Sequence, residues 1–101
     1  MLNLQLTMST LSKIAAKIIK EQEQIIGPLA WEQVKSIPGL KIIDKKGGDV
    51  SLEGDEKQII DQLVARYDRL FGRASHEVSR EAVLSLISDL TPDQIPSSLA
   101  N

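Results

Sequence analysis

The sequence predicts a predominantly helical α+β fold in one domain, with two long amphipathic helical segments connected by a short β-hairpin. Three observations lead there. Apolar residues recur at helical spacing over residues 11–36 and again over 55–88. Two short apolar runs flanking a glycine pair separate those stretches, the pattern of a hairpin. The chain has 101 residues, of which 42% are hydrophobic and 26% charged, so it can build one modest core and is too apolar for disorder. Only Trp31, Tyr67 and Phe71 are aromatic, so that core must be aliphatic.

The first ten residues include Leu2-Asn3-Leu4-Gln5-Leu6-Thr7-Met8, an apolar–polar alternation that reads as a strand or as a loose terminus. From Leu11 the period changes. Leu11, Ile14, Ala15, Ile18, Ile19, Ile25, Ile26 and Leu29 occupy one arc of a helix, with Ser9 or Thr10 available as its cap. Gly27-Pro28 interrupts this helix, because proline removes a backbone donor and clashes with the preceding turn. Pro28 suits the first turn of a second helical piece running to about Lys35.

Residues 40–54 form the hairpin, turning through Lys45-Lys46-Gly47-Gly48. A phosphate-binding loop would place its lysine after the glycines and before a helix; here the order is reversed and a strand follows, so this is a turn. Such a hairpin is marginal alone and must lie on the helices, pair with the N-terminal strand, or pair with another subunit. Asp55, with Gln58 three residues on, opens the longest helix. Ile60, Leu63, Val64, Tyr67, Leu70, Phe71, Ala74, Val78 and Ala82 keep one face through Gly72, predicting a continuous or gently bent helix to about Ser88. Residues 91–101 read as a short turn and tail, limited by Pro96.

Composition narrows the function classes. The absence of cysteine excludes disulfides, thiolate metal sites and thiol catalysis. A net charge of −2 argues against a general nucleic-acid binder. Neither a signal peptide nor a membrane span is apparent, so the expectation is a soluble, cytoplasmic protein with no cofactor and no bound metal.

The candidate sites are few. His76, the only histidine, falls off the apolar arc and reads as a surface residue rather than a catalytic one. Glu77 and Glu81 share a helix face, but Arg73 and Arg80 stand at ion-pair spacing from Glu77, which suits a solvated face. Arg66, Arg69, Arg73 and Arg80 fall within about 60° of one another on a helical wheel. That row reads as a charged solvated face, then as a contact for an acidic partner, and last as a phosphate contact for nucleic acid. Trp31 reads either as an exposed interface residue or, if Gly27-Pro28 redirects the chain, as part of the core.

The two helical segments also match when offset by 45 residues. Ile14 then aligns with Ile59, Ile18 with Leu63, Ile19 with Val64, Gly27 with Gly72 and Glu32 with Glu77. Any two amphipathic helices match on apolar positions, so the coincident glycines and glutamates carry what weight there is.

Ile25-Ile26-Gly27-Pro28-Leu29-Ala30 resembles the short IGP-x-A helical segment of bacterial signalling and regulatory proteins, and Leu70-Phe71-Gly72-Arg73-Ala74-Ser75 echoes it without the proline. Residues 63–82 also resemble a stretch of small bacterial proteins of uncharacterised activity. The resemblance implies a non-catalytic regulatory or docking role and transfers no functional residue. Together these readings predict a regulatory or adaptor protein that is not an enzyme, binds another protein through Trp31 and the arginine row, and forms a homodimer. A nucleic-acid-associated protein using Arg66, Arg69, Arg73 and Arg80 is the alternative, and an enzyme built from carboxylates of different segments is third.

Overall fold

A computed structural model describes residues 9–88 and 90–100; the Leu2–Met8 alternation, read above as a strand or loose terminus, lies outside the described residues. Helix α1 (Thr10–Ile26) starts where the Ser9 side chain accepts the Ser12 amide at 3.0 Å. It ends at Gly27, and α2 (Leu29–Val34) follows. The hairpin pairs β1 (Leu40–Asp44) with β2 (Asp49–Leu52), with Leu40 opposite Leu52 and Ile42 opposite Val50. Its register shifts between Ile42 and Asp44, and the intervening Ile43 stays exposed. The hairpin lies on the helices, with β2 packed on α1.

Helix α3 (Glu56–Phe71) begins with the Asp55 carboxylate accepting the Gln58 amide at 3.2 Å. Here the continuous-helix expectation fails. The chain turns at Gly72 and resumes as α4 (Arg73–Ala82) and α5 (Leu84–Ile87). Gly72 has φ 87° and ψ −170°, a region essentially reserved for glycine. The apolar period ran on through Gly72, yet the buried residues beyond it are Ser75, Ser79 and Val83, one position on from the expected Ala74, Val78 and Ala82. The turn re-aims the helix, and its buried face shifts with it.

The first unit bends in the same way. Gly27 has φ 71° and ψ −153°. Its amide donates to the Glu23 carbonyl at 2.8 Å, as the Gly72 amide donates to Asp68 at 2.8 Å. Ala30 N donates back to the Gly27 carbonyl at 3.0 Å, as Ser75 N does to Gly72. This bend leaves Ile25 and Leu29, both expected on the buried arc, in solvent, and buries Ala30, Trp31 and Val34 instead.

The units therefore correspond in structure at the 45-residue offset, and they exchange contacts. Helix α1 packs on α4, and α3 packs on α2. Gln22 Nε2 donates to the Ser75 carbonyl at 2.9 Å, while Tyr67 Oη donates to the Ala30 carbonyl at 2.8 Å. Gln22 aligns with Tyr67 and Ala30 with Ser75, so the two bonds are equivalent with the units' roles swapped. Between them lies the predicted aliphatic seam, with Ile14, Ile18, Ile19, Ile60, Leu63 and Val64 all at 0% exposure.

After α4 the correspondence ends. Two 3₁₀ turns, Pro92–Gln94 and Ser97–Leu99, bring the tail back along α3. Asp61 receives the Ser98 amide at 2.9 Å and the Ser97 hydroxyl at 3.0 Å, and Leu99 is buried. Among the described residues no helix is long and apolar enough to cross a membrane.

Candidate functional site

The bend at Gly72 divides the predicted arginine row. Arg66 and Arg69 stand on α3, whereas Arg73 and Arg80 stand on α4, beyond a non-helical corner. A wheel drawn through all four is therefore not a face of the folded molecule. Arg66 and Arg69 still act together: both line a surface cavity of about 230 Å³ with Ser36, Ile37, Pro38 and Gln62. No carboxylate of the described residues lines it.

Within this cavity Arg66 is held from one side. Its Nη2 donates to Ser36 Oγ, and that hydroxyl spends its own proton on the Gln33 carbonyl at 2.9 Å, at the end of α2. Arg66 Nε is enclosed and has no hydrogen-bond partner among the described residues. Leaving a buried charged donor unpaired costs on the order of 1–3 kcal/mol or more. Arg69, one turn on, is exposed and makes neither an ion pair nor a hydrogen bond among the described residues.

Trp31 is absent from this surface. Its ring is 1% exposed, which corrects the interface reading and supports the core one, since the Gly27 bend swings α2 inward. Its indole Nε1 finds no partner among the described residues. Arg80 Nε is likewise enclosed without a partner among them, and Arg80 does not join Arg66 and Arg69.

The second arrangement is one that sequence reasoning missed. His76 Nδ1 lies 2.7 Å from Asp68 Oδ2, and the two side chains are 29% and 31% exposed. Together with Gly72, Arg73 and Glu77 they line a cavity of about 480 Å³. On a continuous helix, residues eight apart would be separated by about 12 Å along the axis. The Gly72 corner removes that distance, so only the glycine could have signalled the pair. An Asp–His pair can fix an imidazole tautomer and hold a proton for exchange. Among the described residues no serine, threonine or lysine lines its cavity to serve as nucleophile. The nearest serines in sequence, Ser75 and Ser79, are buried and accept from Gln22 Nε2 at 2.9 and 3.0 Å. The Asp68–His76 contact instead ties α4 to the end of α3.

Glu77 and Glu81 are exposed, and the ion pairs expected for Glu77 with Arg73 and Arg80 are not among those the described residues make. Among the described residues no three of His, Asp and Glu gather as a metal site requires. Compared with protein-family models, curated proteins and solved structures, the chain finds no match.

Proposed function

We propose that this chain is a non-catalytic regulatory or adaptor module that binds an acidic segment of another protein at the Arg66–Arg69 cavity. The observation that carries this reading is the convergence of two arginines on one concave site that no carboxylate of the described residues lines. Arginine's planar donor fork matches a carboxylate in a bidentate geometry, and two forks on adjacent turns favour a ligand with more than one negative charge. Nucleic acid is the weaker reading, because the phosphate track that four aligned arginines would have offered is divided at Gly72. An aliphatic core free of cysteine suits a cytoplasmic setting.

The test is fluorescence anisotropy with a labelled peptide rich in Asp and Glu, a Lys-rich control and a DNA duplex. The acidic peptide is expected to bind, and Arg66→Gln with Arg69→Gln to weaken it at least tenfold without moving the circular dichroism melt by more than a few degrees. Tighter DNA binding that falls steeply with added salt would replace this reading with the nucleic-acid one.

Homodimerisation belongs to the same reading. Ile25 and Leu70 occupy equivalent places beside the two corners and are 63% and 49% exposed. Light scattering is expected to give twice the chain mass, and Ile25→Glu to return it to one chain. A single-chain mass at high concentration discards the dimer and leaves the cavity untouched.

A further inference from the structure

The cavity's chemistry is more specific than a preference for negative charge. A guanidinium offers five N–H donors in a rigid fork. One of Arg66's is fixed on Ser36 Oγ, so the fork is held before any ligand arrives. Its Nε is enclosed, which leaves its other N–H groups and those of the exposed Arg69 for a ligand. Ser36 acts as a positioning residue, because its proton is already committed to the Gln33 carbonyl and its oxygen to Arg66.

The corresponding cleft of the first unit supplies an internal comparison. At the 45-residue offset Arg66 aligns with Glu21, Gln62 with Lys17, Ser36 with Glu81 and Ile37 with Ala82. Lys17, Glu21, Glu81 and Ala82 do line one cavity. There Glu21 is paired with Lys17 at 3.3 Å, so that cleft neutralises part of its charge internally. At the Arg66 cleft the two charged lining residues among those described are cations, and none of the ion pairs among the described residues includes either.

We infer that the Arg66–Arg69 cavity receives a phosphoryl group carried on a serine or threonine of the partner segment; this rests on the acidic-partner reading above and narrows it. A phosphoryl monoester carries a charge of about −1.5 to −2 at neutral pH and three strong acceptor oxygens, against one charge and two oxygens for a carboxylate. Two arginines, which between them keep several guanidinium N–H donors besides the one given to Ser36, match the first inventory better than the second. Ile37, Pro38 and Ala65 also line the cavity and give the carbon side of an ester an apolar wall, which a free inorganic anion would not use.

The experiment follows backbone amides by NMR during titration with an alanine-flanked phosphothreonine pentapeptide. Its threonine and glutamate counterparts and inorganic phosphate serve as the other arms. Shifts are expected at Ser36, Gln62, Ala65, Arg66 and Arg69, with the phosphopeptide binding at least tenfold tighter than the glutamate peptide. Arg69→Gln should weaken it at least tenfold; because Arg69 makes no hydrogen bond among the described residues, that variant keeps the test independent of folding. Equal binding of the glutamate peptide overturns the phosphoryl inference while the acidic-partner reading stands. Silence from every arm discards both. Inorganic phosphate binding as tightly as the phosphopeptide overturns the assignment to a protein-borne ester.

Discussion

Tyr67 is the residue on which the two units are most plainly fastened together. Its ring is fully buried, and its hydroxyl donates across the core to the Ala30 carbonyl. Burial, and secondarily the Glu23 carboxylate, hold the phenol well above its ordinary value, because both disfavour the phenolate. The sign follows from linkage. A raised pKa stabilises the fold fully below the unfolded value of about 10, and the contribution is lost as pH rises beyond it. Melting temperatures taken from pH 8 to 11.5 should therefore fall more steeply in the native chain than in Tyr67→Phe. Parallel slopes would mean that Tyr67 ionises without cost. At neutral pH the Phe variant should lose about 1 kcal/mol for the missing hydrogen bond. Gln22, its counterpart, is harder to foresee: a glutamine on an apolar face looks like an error until Ser75 and Ser79 are seen opposite it.

At the scale of elements, the two glycine corners decide where every later side chain points. Adding a Cβ at Gly72 meets no neighbouring atom, so any penalty for Gly72→Ala is conformational rather than steric. Forcing alanine into that backbone region costs about 1–3 kcal/mol. The denaturation midpoint of Gly72→Ala should drop accordingly, and an unchanged midpoint would show that α3 can run straight on into α4. Proline announced the first corner, because Pro28 cannot continue a helix. The second corner carried only a glycine, which a helix interior tolerates at about 1 kcal/mol, so the apolar period running through it favoured a straight helix. That single misjudged junction hid the Asp68–His76 contact and made four arginines look like one row. Helix α4 is also poor in apolar contacts, burying two serines where α1 buries isoleucines. Its position therefore leans on Gln22 and on the Asp68 tie.

On the scale of the whole molecule, the exchanged contacts imply that neither unit has a complete core by itself. Trp31 lies in the first unit and much of the helix in the second, so tryptophan fluorescence and far-ultraviolet circular dichroism should lose their signals at one denaturant midpoint. Separate midpoints would show two independently stable halves. The sequence by itself determined the two helical stretches and the hairpin, the aliphatic seam and the cap at Asp55, and narrowed the first cap to Ser9 or Thr10. Each of these depends on residues close together in the chain, through periodicity or a side chain reaching three positions on. The Arg66–Arg69 cavity, the Asp68–His76 pair and the burial of Trp31 were decided only by tertiary structure. They depend on the angle at which two short helices leave their glycines, and that angle is set by what each finds on the opposite unit.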